Sequence, residues 1–356
     1  MSRIRRIFFL AAALLAVTAS PTIACPAPVG SHGTIWVTDR QNDRVAVYDV
    51  ASSALLTTMS TEVAPDPLVA DEPNDVAVAQ GTAFVTNEAS GSISAFDVAS
   101  RRLLGRLTDA GPKPHHATTS PNGRFVAYGV YGTDQVGLID ARTQVIRKLT
   151  ASSRAGSVFT HSAFFAHDGH TVFVTNELKS GTTQLVGTVA AIDLRTGAIT
   201  CELDVGVRPS EVVVLRNGRT GYVAVRNEHV VKEIDVTRCA LTGRYVDIGQ
   251  EVDTLWLAHG DRSMSVGLRG PAPLPAQVAV VNLVSFATAD VRFWTIPGGT
   301  LTGHQLTTPD GRLTYAAFEG GAAGGLALID HRTGIVRTLA PIGGRPHGIA
   351  FAPPAE

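Results

Sequence analysis

Eleven histidines are spread along the 356 residues. Four of them, His115, His161, His304 and His347, fall at one position of a repeating pattern. The aligned series reads Asn74, His115, His161, Ser210, Val252, His304 and His347. Random scatter of so few histidines would seldom fill that position even once. If the repeats surround a common axis, these imidazoles gather at one end of it. Glu88, Glu177, Glu228 and Glu319 end the strands that run back to the same end. Neutral imidazole nitrogen with a carboxylate suits Zn²⁺ and other divalent transition ions. The predicted ligands are therefore His115, His161, His304 and His347 with Glu177 or Glu88. The competing reading is repeat ancestry, with the histidines serving turns. The adjacent residues Asp75, His116, Glu211 and Asp253 are expected to face away and bond to neighbouring repeats. His167, His170, His259 and His331 lie in turns and are expected at the surface.

The axis comes from the repeat itself. A short alternating apolar run closed by Asp or Asn recurs seven times, ending at Asp49, Asp97, Asp140, Asp193, Asp235, Asn282 and Asp330. The intervals are 48, 43, 53, 42, 47 and 48 residues. Such a period, carried by β-type alternation, marks propeller blades. Residues 73 to 108 show one blade: four short strands separated by turn residues. Later blades carry Asn-Gly or Asp-Gly hairpins at Asn122-Gly123, Asp168-Gly169, Asn217-Gly218 and Asp310-Gly311. The first repeat lacks an innermost strand, and the C-terminus carries an orphan one at Pro346 to Phe351. The fold class predicted is all-β: a seven-bladed β-propeller of four-stranded antiparallel blades, closed by that C-terminal strand joining the N-terminal blade. Closure removes exposed edges. The predicted domain spans 33–353, with a linker at 25–32 and a tail at 354–356.

Residues 1–24 read as an export signal. Arg3, Arg5 and Arg6 precede an apolar stretch, Ile7 to Val17, too short to span a bilayer. Thr22-Ile23-Ala24-Cys25 offers either ordinary cleavage or a lipoprotein-type cleavage box, making Cys25 the lipidation candidate. Arg5-Arg6-Ile7-Phe8-Phe9 leaves the twin-arginine route open beside the general one. The chain is thus expected in the periplasm or at the cell surface, with membrane contact only through a lipid on Cys25. Three cysteines are an odd number for an oxidising compartment. With Cys25 set aside, Cys201 and Cys239 form the disulfide candidate; the alternative is two separate thiols.

A formal net charge of -1 gives no pull toward nucleic acid or anionic membrane. No G-x-S-x-G, H-E-x-x-H or phosphate loop appears.

Trp36-Val37-Thr38-Asp39, Phe84-Val85-Thr86-Asn87 and Phe173-Val174-Thr175-Asn176, with Pro346-His347-Gly348, resemble the YVTN-repeat propellers. Blades five to seven depart from that tetrad, reading Ala224-Val225-Arg226-Asn227, Ser265-Val266-Gly267-Leu268 and Ala316-Ala317-Phe318-Glu319. The resemblance implies the fold and an exported protein but no single activity. In its type, the histidine site resembles that of periplasmic zinc-metallochaperone propellers. The reading adopted is an exported, monomeric, non-catalytic binding propeller, with Zn²⁺ or another divalent transition metal at the histidine-lined mouth. The second reading is a metal-free scaffold for a protein or glycan on the same face. The third is a lactonase-like hydrolase using Glu88, Asn74 and Asp75. The stretch Asn176 to Thr188 is left open between a lid and a plain loop.

Overall fold

The computed structural model describes residues 32–62, 70–154, 156–258, 260–270 and 274–354. The predicted export signal, the lipidation candidate Cys25 and His259 lie outside the described residues.

Seven sheets of four antiparallel strands surround one axis. Blade two is typical: Pro73–Ala79 innermost, then Thr82–Asn87, Ser92–Asp97 and Leu103–Leu107 outermost. Innermost strands of the other blades are Pro114–Thr119, Ser157–Phe165, Pro209–Val214, Glu251–Ala258 and Leu301–Thr307. Blade one closes the ring as the sequence predicts. Pro346–Ala352 pairs with Thr34–Asp39, with Phe351 opposite Ile35 and Ala350 opposite Trp36. The helical content among the described residues is three single turns of 3₁₀.

The recurrent Asp has a local cause. The side chain of each closing residue accepts a backbone N–H from the turn that follows. Ser52 N–H donates to Asp49 at 2.7 Å, Ser100 to Asp97 at 2.7 Å, and Val284 to Asn282 at 3.0 Å. Such Asx turns reverse the chain between third and outer strands. Glycine is required in the hairpins between first and second strands: Gly123 and Gly218 have φ of 67° and 64°, where a side chain would be strained.

The core lies between blades rather than within one. Trp36, Val45 and Val47 of blade one pack on Val76, Val85 and Phe96 of blade two. Every blade offers one face to each neighbour, so its first and second strands are buried on both sides. Outer strands alternate: Leu55–Ser60 is half-buried and exposed by turns. Cys201 of blade four and Cys239 of blade five are joined by a disulfide, their Cα atoms 5.7 Å apart. The stretch Asn176 to Thr188 is neither lid nor plain loop. It continues the ladder as a hairpin, with Leu178 opposite Leu185 and Ser180 opposite Thr183.

Candidate functional site: a histidine cage in the channel

The innermost strands share one irregularity. At the channel mouth the register shifts between Pro73 and Asp75, Pro114 and Ala117, Thr160 and Ser162, and Pro209 and Val212. It does so again between Val252 and Thr254, between Thr302 and Gln305, and in blade one opposite Val37 and Asp39. A bulge breaks strict alternation, so two consecutive residues can be aimed at the axis. The threonine of the tetrad satisfies the displaced amide. Gly348, Asp75 and Ser162 N–H donate to Thr38, Thr86 and Thr175 hydroxyls at 2.8, 3.0 and 3.3 Å.

These registers stack residues in layers. The upper layer is Asn74, His115, His161, Ser210, Asp253, Gly303 and His347; the lower is Asp75, His116, Ser162, Glu211, Thr254, His304 and Gly348. Two expectations are corrected here. His304 sits one layer deeper than the sequence alignment placed it, and Asp253 takes the position given to Val252. Blades six and seven lack the proline that marks the register, so the one-residue offset was invisible. His116, expected to face away, lies at the centre of the cage. Its ring is 4.4 Å from His115, 4.5 Å from His161 and 4.1 Å from His304, centroid to centroid. The bulge turns it inward, and no local signal announces a bulge.

Five imidazoles thus meet: His115, His116, His161, His304 and His347, none more than 8 % exposed. In each the Nδ1 side faces the scaffold. His115 Nδ1–H donates to the His161 carbonyl at 3.2 Å, His161 to Ser210 at 2.8 Å, and His347 to Asn74 at 3.1 Å. His304 Nδ1 lies 3.4 Å from Asp75, and His116 Nδ1 lies 3.2 Å from Glu211. The Nε2 atoms remain for the interior, and those of His116 and His304 are 3.0 Å apart. Two trios bring one ring nitrogen each within 4.8 Å of one another: His115, His116, His161, and His116, His304, His347.

A rim of second-strand residues covers the cage, and Arg226 is its chief member. It stands one residue past the blade-five strand Thr220–Val225, where blades two and four carry Glu88 and Glu177. It bonds Asp253, donates to Glu177 at 3.2 Å and gives an N–H to His161 Nε2 at 2.9 Å. Arg269 bonds Asp253 and His347 Nε2, the latter at 3.2 Å. Sequence reasoning missed both arginines. The one signal was the departure of blades five and six from the tetrad.

Of the predicted carboxylates, neither is free. Glu177 is buried between Arg226 and the Tyr131 hydroxyl, which donates at 3.0 Å. Glu88 takes Arg40 at 2.5 Å and the Asn74 amide at 3.0 Å, and stays 3.9 Å from His115 Nε2. Glu228 pairs outward with Lys232 and Glu319 with Arg345. The carboxylates that touch the imidazoles are Asp75 and Glu211. They also fasten the next blade, accepting Ala117 N–H at 2.9 Å and Leu255 N–H at 2.6 Å. Away from the cage, His170 is exposed, but His331 is half-buried, its Nε2 2.7 Å from the Thr314 hydroxyl.

The electrostatics split the five rings. Burial, with Arg40, Arg226 and Arg269 nearby, pushes His115, His161 and His347 well below 6.5. His116 is pushed the same way by burial and by its neighbouring rings. His304 goes up to about 9, because Asp75 and Glu211 outweigh its burial. Burial lifts Glu211 to about 7. The metal-free cage therefore holds one imidazolium among neutral rings, each of the latter retaining a lone pair.

The model of the family described as "Lactonase, 7-bladed beta-propeller" matches residues 105–242. That stretch spans blades three and four and most of five. No curated protein matches the chain. Among solved structures, Kuenenia stuttgartiensis hydrazine synthase is 14 % identical, with a TM-score of 0.67 over 93 % of this chain and 100 % of that one. Dihydro-heme d1 dehydrogenase NirN, in complex with DHE, is 14 % identical, with 0.61 over 94 % and 78 %. The Cps50 (Swd1) propeller domain of Myceliophteria thermophila is 11 % identical, with 0.60 over 82 % and 94 %. Identities this low show the fold alone. The protein is a seven-bladed β-propeller with a central stretch similar to the lactonase propellers.

Proposed function

We propose that this is an exported, non-catalytic propeller that binds a divalent transition metal in its histidine cage. The observation that carries the reading is the common orientation of five buried imidazoles. Each Nδ1 faces a carbonyl or carboxylate, and each Nε2 points inward, those of His161 and His347 meeting Arg226 and Arg269. Fixing one ring nitrogen from outside orients the other toward a metal. An all-nitrogen set with carboxylates behind it favours Zn²⁺, Cu²⁺, Ni²⁺ or Co²⁺ over Ca²⁺ or Mg²⁺. Export is supported by the N-terminal sequence and by the Cys201–Cys239 disulfide.

Calorimetric titration of chelator-treated protein with Zn²⁺ near pH 7.5 tests this. A binding isotherm with a rise in melting temperature is expected. No heat and no shift would end the metal reading. The family match favours one second reading, metal-dependent hydrolysis of a lactone. Turnover of simple lactones that requires added Ca²⁺ or Zn²⁺ would establish it. With neither metal nor turnover, the channel face stands as a scaffold for a protein or glycan.

A further inference from the structure

We infer that the ion is seated by His116, His304 and His347, with Arg269 as the group that yields its place. The inference rests on the metal reading above and assigns its ligands. It differs from the sequence-based set by replacing His115 and His161 with His116, and Glu88 and Glu177 with Asp75 and Glu211.

The choice between the two trios follows from what already occupies each Nε2. His161 gives its lone pair to Arg226 at 2.9 Å. Arg226 is 4 % exposed and also neutralises Asp253 and Glu177, both essentially buried. Moving it would strand buried carboxylates without a partner, a costly state. His161 is thus committed, and its trio keeps two usable rings.

In the other trio the obstacle is weaker. His116 and His304 already face each other at 3.0 Å between Nε2 atoms. Nitrogens on a tetrahedral Zn²⁺ stand about 3.3 Å apart, so a small opening admits the ion. His347 Nε2 meets Arg269 at 3.2 Å. The Arg269 side chain is 27 % exposed, and its other partner, Asp253, retains Arg226. Arg269 can swing to solvent and leave no buried carboxylate unpaired.

Space points the same way. A cavity of about 60 Å³ below the cage is lined by Asp75, His116, Glu211 and His304, and it continues past Thr118 to Trp256. Of the five rings it touches only His116 and His304, the two that the second trio holds without His115 or His161. His116 Nδ1 is buried beside it without an aligned hydrogen-bond partner. Asp75 and Glu211 stand behind the rings as the groups that orient them.

The test is Zn²⁺ calorimetry on chelator-treated full-length mature protein and on single variants. One equivalent per chain is expected. His116→Gln, His304→Gln and His347→Gln should each weaken binding at least about 100-fold, a ligand mattering no less than the groups that orient it. His115→Gln and His161→Gln should stay within about threefold, well inside the tenfold that orienting groups command. Arg269→Gln should bind more tightly than the parent, because no guanidinium has to leave. Ring ¹⁵N NMR of the unmutated protein guards against variants that misfold: Zn²⁺ should move the Nε2 signals of three cage histidines and leave two. Loss of binding in His115→Gln or His161→Gln with His304→Gln unaffected would overturn the inference, as would two equivalents per chain. No binding by the parent protein would overturn the metal reading itself.

Discussion

Lowering the pH should unfold this protein steeply, and the slope can be worked from the cage. His115, His116, His161 and His347 are buried and held neutral, with pKa values well below 6.5. In the unfolded chain each titrates near 6.5. At pH 5.5 the four unfolded rings bind about 3.6 protons, and the folded ones, with their pKa values depressed, bind fewer. Glu211 works in the opposite direction. At about 7 in the fold, it holds a proton that the unfolded chain has largely released, an offset of about 0.9. His304, at about 9, is charged in both states and changes little there. Asp75, Glu88, Glu177 and Asp253 face the rings; Arg226 and Arg269 outweigh burial at Asp253 and hold its carboxyl well below the usual carboxylate range, out of this window. Unfolding near pH 5.5 therefore takes up at most about 2.7 protons, and stability falls by up to about 4 kcal/mol per pH unit. The sign is that of depressed groups: the stability is present above 6.5 and drains as pH falls. The assay is the urea midpoint of chelator-treated protein at half-unit steps from pH 6.5 to 5. His347→Gln should reduce the slope by up to about 1.2 kcal/mol per unit, the full share of one ring. A midpoint that stays flat or rises over this range would refute the buried neutral cage.

At the alkaline end the raised groups reverse the trend. Stability contributed by protonated Glu211 and His304 should drain as pH rises through about 7 and about 9, visible as a falling melting temperature. Arg226→Ala strands Asp253 and Glu177, and about 3–5 kcal/mol of stability should be lost in chemical denaturation. Less than 1 kcal/mol would contradict the pinning argument. Reducing the Cys201–Cys239 bridge, whose ends are 38 positions apart, should cost about 4 kcal/mol on the chain-entropy account. Thiol labelling before and after denaturation without reductant checks it: two new thiols would mean no bridge. Deleting residues 345–356 removes the partner of Thr34–Asp39 and opens two sheet edges, so the truncated chain should aggregate. A deletion variant as heat-stable as the parent would contradict ring closure.

The amino-acid sequence alone was enough for the architecture. Period-two alternation, Asp-closed third strands and hairpin glycines are local properties. They repeat often enough to count blades and to place the closing strand at Pro346–Ala352. It was also enough to bring His115, His161 and His347 to one mouth, because a closed ring turns equal repeat positions into neighbours. What it lacked was the bulge. One extra residue at the opening of each innermost strand decides whether a side chain meets the axis or the next blade. That residue leaves no mark where proline is missing, as in blades six and seven. So His304 was assigned a layer too high; in blade three, where Pro114 is present, strict strand alternation turned His116 outward on paper while the bulge turns it inward. The carboxylates show the same limit. Glu88 and Glu177 look available in the sequence, yet Arg40 and Arg226 reach them from 48 and 49 residues away. Strand periodicity is written in neighbouring residues and can be read from them. Which charge neutralises which depends on distances across the channel, and only closing the ring sets those distances.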